Sequence, residues 1–366
     1  MKTIPIYEPT LEGNERKYLL DCIDTVWISS QGKYIVDFEH SLAKYHDMEF
    51  GIATSSCTSA LHLAIKSLGI GQGDEIICPN LTFIAPANMV LLSNAKLVLV
   101  DICKDTLTIN PELIKQSITK KTKAIIVVHQ FGHAAPMDEI MSIAKRYGLK
   151  VIEDNAESIG GKYKGKLLGT FGDLSCYSFF GNKIITAGEG GAILTNDPKL
   201  ATRCREMRDH GMSISKKYHH KVLGYNYRMT NMQAAIVLAQ LERLDFILAK
   251  RGTQMRLYYD SLIRISGIKL REFKNWCDPV HWLMTITLDK GFDRDEVIKK
   301  MKEGGIECRQ MINPVHHALY LKNEYSDKQF PVSVNVSQRS LHLPSSNNVS
   351  LGEIKFITET LKEVLS

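Results

Sequence analysis

The sequence has no run near the ~18 consecutive apolar residues that span a bilayer. Its opening, MKTIPIYEPT, has no apolar signal region either, so the expectation is a soluble, cytoplasmic protein with no membrane partner. Eight cysteines stand at 22, 57, 78, 103, 176, 204, 277 and 308 without one C-x-x-C pair. A chain of 366 residues can bury a core without staples, and reduced thiols are expected. No H-E-x-x-H motif is present, and no metal is expected. No G-x-S-x-G elbow marks a serine hydrolase. No G-x-G-x-x-G opens a helix after a strand: GIGQGD (69–74) precedes a strand and reads as a turn, and GEGG (188–191) does not end in G-K-[ST]. Strong charge is missing too. The net charge is +6 from 46 basic and 40 acidic residues, scattered along the chain. That suits a small anionic substrate and gives no nucleic-acid footprint.

What is there is an alternation. FGIAT, DEIICP, AKLVLVDI, TKAIIVVHQ and LKVIEDNAES read as strands, with helical spacing in TSALHLAIKSLG, FIAPANMVLLSN and MDEIMSIAKRYG between them. LSCYSFF and GAILTND read as two more strands. Strands apolar on both faces and separated by helices predict an α/β fold with a mostly parallel sheet covered on both sides. Residues 230–263 read as one long helix opening on Thr230 as its cap. Beyond it VHWLMTITL reads as a strand, and DRDEVIKKMKEGG and SLGEIKFITETLKEVLS as helices of a smaller α+β unit. The expected division is 1–247 for a large domain and 248–366 for a smaller C-terminal one.

Several segments carry candidate chemistry. SSCTSALHLA places Ser56, Cys57 and Thr58 at a helix start, where free N–H groups favour an anion, although plain N-capping explains Ser and Thr there as well. The strand KVIEDNAES ends in Glu153, Asp154 and Glu157, at the edge where open parallel sheets bind ligands. His129, His133, His316 and His317 are acid/base candidates. SFFGNKIITAGEGG holds a lone lysine, Lys183, after Ser178. A helix start fit for phosphate, the aromatic Phe83, a strand-end carboxylate, Ser178 and then Lys183 are together the parts that pyridoxal 5′-phosphate (PLP) requires. Its phosphate takes N–H and hydroxyl donors, its ring an aromatic cover, its pyridinium nitrogen a carboxylate, and its aldehyde a lysine amine for a Schiff base.

IEDNAESIGGKYKGKLLGTFGD, YSFFGNKIITAGEGGAI and LGYNYRMTNMQAAI, in that order, resemble the fold-type I, PLP-dependent sugar aminotransferases of the DegT/DnrJ/EryC1/StrS type. The likeness runs from WISSQGKYIVDFE to RSLHLPSS, and SFFGNKIITAGEGG is most similar to the GDP-perosamine synthase branch. The resemblance implies that Lys183 forms the Schiff base and shuttles a proton, and that Asp154 pairs with the pyridinium nitrogen. It places Glu157 near the ring hydroxyl and Phe83 over the ring. Ser56, Cys57, Thr58 and Ser178 would hold the phosphate, with Asn226 reaching it from the second subunit of a homodimer. L-glutamate would be the amino donor and a keto-sugar nucleotide, a GDP- or UDP-linked 4-keto-6-deoxyhexose for surface polysaccharide, the acceptor.

The sequence departs from that branch in CRQMINPVHH (308–317). Arg309, Pro314 and His316 match a segment that borders the substrate in relatives, but Met311, Ile312 and Asn313 replace its aromatics. A smaller phosphorylated ketone is therefore an alternative acceptor. A PLP-dependent deoxygenase would carry histidine in place of Lys183, and a nucleotide-sugar dehydrogenase would need the missing glycine fingerprint.

Overall fold

The apolar runs between residues 50 and 200 form a single seven-stranded sheet in the computed structural model of the protein, which describes residues 3–366. Its strands begin with β1 (Phe50–Thr54), β2 (Glu75–Pro79), β3 (Lys96–Val100), β4 (Thr122–Val128) and β5 (Lys150–Asp154). A short hairpin of β6 (Lys162–Tyr163) and β7 (Lys166–Leu167) follows, and β8 (Leu174–Ser178) and β9 (Gly191–Thr195) complete the sheet. The order across it is β1-β9-β8-β5-β4-β2-β3. The neighbours from β8 to β3 are parallel, and β9 runs antiparallel to both β8 and β1. Every residue of β2 and β9 is buried, as expected where helices cover both faces. The sheet is α/β and mostly parallel.

Three helices matter for the site. α1 (Glu15–Asp24) and α2 (Lys33–Tyr45) precede the sheet, and α3 (Cys57–Ser67) follows β1 directly. α2 buries Tyr34, Ile35, Phe38 and Leu42, one helical stripe, against the core.

The single helix expected over 230–263 is two, Asn231–Leu241 and Leu244–Leu262. Thr230 caps the first, accepting from the Gln233 N–H in a capping box. The break falls where polar residues are held from outside. The Glu242 carboxylate takes hydrogen bonds from Asn14 and Tyr18, and Arg243 pairs with Glu12. The first helix packs on α1 and α2, whereas the second packs on the last helix, Leu351–Leu365. One straight rod cannot serve both faces.

The remaining strands are β10 (Ile268–Leu270), β11 (Cys277–Asp278), β12 (Met284–Leu288), β13 (Arg309–Gln310) and β14 (Ser340–Leu343). Four of them form an antiparallel sheet in the order β10-β12-β14-β13, while β11 joins the β6–β7 hairpin. The strand expected from Val280 begins only at Met284. Val280 instead lies against Gly132, donating to its carbonyl, and a Cβ on Gly132 would sit 1.7 Å from the Val280 oxygen. Only glycine permits that approach. All eight cysteines are free thiols. Among the described residues no helix is long and apolar enough to cross a membrane.

Candidate active site

A cavity of about 520 Å³ opens beyond the carboxyl ends of β5 and β8, facing the start of α3. This is where open parallel sheets take ligands.

The start of α3 is built by side chains that satisfy some N–H groups and spare others. Ser56 is the N-cap in extended backbone, with φ −164° and ψ 165°. Its hydroxyl accepts from the Ser59 N–H at 3.1 Å, and the Ser59 hydroxyl accepts from the Ser56 N–H at 3.0 Å. Among the described residues no acceptor meets the N–H of Cys57 or Thr58. These are orphan donors of a first helical turn, at the positive end of the helix dipole. Gly191, the last residue of GEGG, backs them: a Cβ there would lie 2.3 Å from the Ser56 carbonyl carbon. The glycine run is thus a close-approach device and not a phosphate loop. Replacing Ser56 by alanine is expected to cost about 1 kcal/mol of stability, read as a lower urea midpoint, because the capping box is lost while the two orphan N–H groups remain.

At the other side, β5 presents its last two residues to opposite faces of the sheet. Glu153 points away from the cavity, fully buried. It accepts from His129 Nε2 at 3.0 Å and from the N–H groups of Gly169, Phe171 and Gly172 at 2.8, 2.7 and 2.6 Å. Burial raises its pKa, but the His129 bond and charge and the backbone donors outweigh that and hold it below the ordinary value. Asp154 lines the cavity. Its Oδ1 accepts from the Ala156 N–H at 3.0 Å and lies 3.9 Å from Cys57 Sγ. Burial raises its pKa against the pull of the Ala156 N–H and Lys183. Glu157 is raised by burial as well; its Oε2 accepts from the Phe131 N–H at 2.6 Å. Phe131 is set there in a left-handed backbone, φ 50° and ψ 34°, a conformation that costs a non-glycine residue free energy.

Lys183 lines the same cavity. Its side chain is 13% exposed, with Nζ 3.7 Å from Glu157 Oε1 and 3.7 Å from the centre of the Trp282 ring. It is the sole lysine among the described residues lining the cavity. Thr58, Ser178 and Phe83 line it too; Phe83 is an exposed aromatic on its wall.

Of the expected substrate contacts, Arg309 lines the cavity and His316 does not. His316 is buried elsewhere: its ring nitrogens meet Asn80 Oδ1 at 3.0 Å and Asp327 Oδ1 at 2.9 Å. His317 donates to the same Asp327 oxygen at 2.8 Å, and this shared hydrogen-bond acceptor is what gathers the two histidines. His129 and His133 are also outside the cavity. Although four residues apart, they turn to different neighbours, Glu153 and the Ala134 carbonyl. Asn226 is exposed and accepts from Arg228, away from the cavity of its own chain. Of the three residues that replace aromatics, Met311 is buried in the core, Asn313 is exposed and only Ile312 meets the cavity.

Sequence reasoning missed Trp282 and His342, both on the cavity wall. Register puts His342 opposite Arg309, and its Nδ1 lies 2.9 Å from Thr285 Oγ1. Burial, with Arg309 and Arg271 nearby, pushes its pKa down to about 3, so it is a neutral hydrogen-bonding group. No local motif signals either residue; strand pairing brings them in.

The sequence profile of the DegT/DnrJ/EryC1/StrS aminotransferase family matches residues 9–362. The GDP-perosamine synthase of Escherichia coli O157:H7 is 40% identical over 369 residues, covering 100% of both chains. Bacillus subtilis EpsN, which carries the provisional name of a pyridoxal phosphate-dependent aminotransferase, is 33% identical over 98% of this chain and 95% of its own. The solved structure of S. venezuelae DesV superposes with a TM-score of 0.94 at 30% identity, covering 99% of this chain and 98% of that one.

Proposed function

The chain belongs to the DegT/DnrJ/EryC1/StrS aminotransferase family, and from that premise we propose that it moves an amino group from L-glutamate to a keto-sugar nucleotide. It is a PLP-dependent transaminase. The cavity lining fits that cofactor in three ways: orphan N–H groups at the start of α3 for a phosphate, a buried carboxylate for a ring nitrogen, and one lysine amine for the aldehyde. When bound, PLP supplies an aldehyde that takes up amines covalently and a ring that delocalises the electron pair left by a departing proton.

The chain's own groups do the rest. The N–H groups of Cys57 and Thr58, with the Thr58 and Ser178 hydroxyls, hold the phosphate. Ser56 acts one step back, by capping α3. Phe83 would cover the ring, and the Asp154 carboxylate would pair with its protonated nitrogen. Glu157, fixed by the Phe131 N–H, faces Lys183. Lys183 Nζ carries the amine, then removes and returns a proton at the substrate carbon; tethering supplies the proximity that such a base requires. Arg309 and neutral His342 face the acceptor, and the guanidinium suits its phosphates.

The observation that carries the donor-to-sugar reading is the end-to-end 40% identity to a GDP-perosamine synthase. It supports a 4-keto-6-deoxyhexose linked to GDP, with UDP as the other nucleotide, and a place in surface-polysaccharide synthesis. A homodimer follows the same reading. Asn226 is exposed, as a residue that meets a second subunit's phosphate site must be, and Val26, Trp27, Tyr218 and Leu223 expose apolar surface that a partner would cover. Incubation with L-glutamate and a panel of keto-sugar nucleotides and small phosphorylated ketones, followed by mass spectrometry of the amino product, tests it. Conversion of a phosphorylated ketone alone would replace the sugar reading.

Ile312 gives a sharper test of specificity. Ile312→Phe narrows the cavity at the one position where the aromatic-to-aliphatic change reaches it. It is expected to change kcat/KM for the sugar substrate by roughly 10-fold, on the scale of a methylene or two in a pocket. The rate with glutamate alone should stay within about 2-fold, because the cofactor end is untouched.

A further inference from the structure

Lys183 sits in a loop, yet two remote side chains grip its backbone. The Trp282 indole N–H donates to the Asn182 carbonyl at 2.6 Å, one residue before the lysine. The Tyr7 hydroxyl donates to the Lys183 carbonyl itself. Neither residue belongs to the sheet that carries the cavity. Both meet Arg251, which is 2% exposed and has no carboxylate partner among the described residues. Its guanidinium donates to the Trp282 carbonyl at 3.0 Å and to the Ser345 carbonyl, and lies 5.3 Å from the centre of the Tyr7 ring. A buried guanidinium held by carbonyls and by Tyr7, with no carboxylate to balance its charge, is expensive to maintain. Such a group fixes the geometry of the segments it joins.

We propose that Trp282 is a positioning residue for Lys183, held with Tyr7 by the buried Arg251 in a clamp on the lysine's peptide. The clamp rests on the reading of Lys183 as the cofactor lysine. It acts twice. The two donors fix where the lysine's backbone lies, and the indole face, 3.7 Å from Nζ, gives the amine a place to rest as an ammonium when it is not bonded to cofactor. The amine then stays beside Glu157 and the reacting carbon instead of turning to water. Misplacement by about 1 Å costs on the order of 100-fold in such a step.

The test uses Trp282→Leu, which loses face and donor, Trp282→Phe, which keeps an aromatic face and loses the donor, and Tyr7→Phe. PLP is added to cofactor-free protein and the growth of visible absorbance is timed. Borohydride trapping and peptide mapping then locate the attachment, and glutamate turnover gives kcat and KM. Trp282→Leu should slow both PLP attachment and kcat by roughly 10- to 100-fold with KM for glutamate nearly unchanged; Trp282→Phe and Tyr7→Phe should lie between it and wild type. Should Trp282→Leu not fold, the two phenylalanine variants carry the test by the same split. Wild-type attachment and turnover rates in the folded variants would overturn the clamp. Mapping wild-type PLP to another lysine would instead overturn the functional reading on which the clamp rests.

Discussion

Lys183→Ala is expected to lose at least ~10³-fold in turnover, the scale of a missing general acid–base group, and to lose the visible absorbance of lysine-linked PLP. Both losses have one structural cause. Among the described residues lining the cavity there is a single lysine amine, so no neighbour can take over the covalent link or the proton. The control is Lys183→Arg. It keeps a positive charge near Glu157, 3.7 Å from the native Nζ, and keeps a cation for the Trp282 face. Guanidinium cannot be deprotonated in a protein and so cannot serve as nucleophile or base. If the lysine served only as a charge, arginine would restore much of the rate. The expected result is that it restores none, while cofactor held by the phosphate and Asp154 ends is still detected by gel filtration and ultraviolet absorbance. Turnover in Lys183→Ala above about 1% of wild type would sink the assignment.

The sequence made the sheet legible because its strands are apolar on both faces, a pattern that only a doubly covered sheet explains; β2 and β9 are buried at every position. The site's two ends were legible for a related reason. A helix start and a strand end are local events, and Ser56–Thr58 and Asp154 each announce one. Local reading could not say which atoms stay free. Ser56 lines the cavity and also caps the helix, because its hydroxyl meets the Ser59 N–H. The misses are tertiary. Trp282 reaches the cavity from the segment where Val280 lies against Gly132, ahead of the strand that begins at Met284. His342 arrives through the β13–β14 register, and His316 leaves for Asp327, eleven residues on. The break at Glu242 and Arg243 is invisible to periodicity because both helices keep the same spacing across it; contacts with Asn14, Tyr18 and Glu12 decide it.

Asp154→Asn is expected to lower turnover by roughly 10²- to 10⁴-fold, the range for removing one partner of a buried charge pair, while making the cofactor-free protein more stable at neutral pH. The two effects share a cause. In the cofactor-free protein burial lifts the Asp154 pKa above its ordinary 3.8, so the ionised carboxylate is the form that burial penalises. The sign follows by linkage. As pH rises from 3.8 toward the raised value, the unfolded chain releases this proton before the native protein does, and native stability falls over that window. Asparagine has no charge to desolvate and keeps a carbonyl oxygen to accept from the Ala156 N–H. Its advantage in thermal midpoint should therefore be present at pH 7 and vanish as pH falls toward 3.8. A protonated pyridine nitrogen bound beside Asp154 reverses the balance, because it pairs with the charge that burial penalises. PLP should then stabilise the wild type at pH 7 more than it stabilises Asp154→Asn. Equal stabilisation of the two proteins by PLP would show that the carboxylate does not face the ring nitrogen, whatever the activity loss. An Asp154→Asn protein that is less stable without cofactor would show that the carboxylate is a structural anchor and not a charge held in reserve for its ligand.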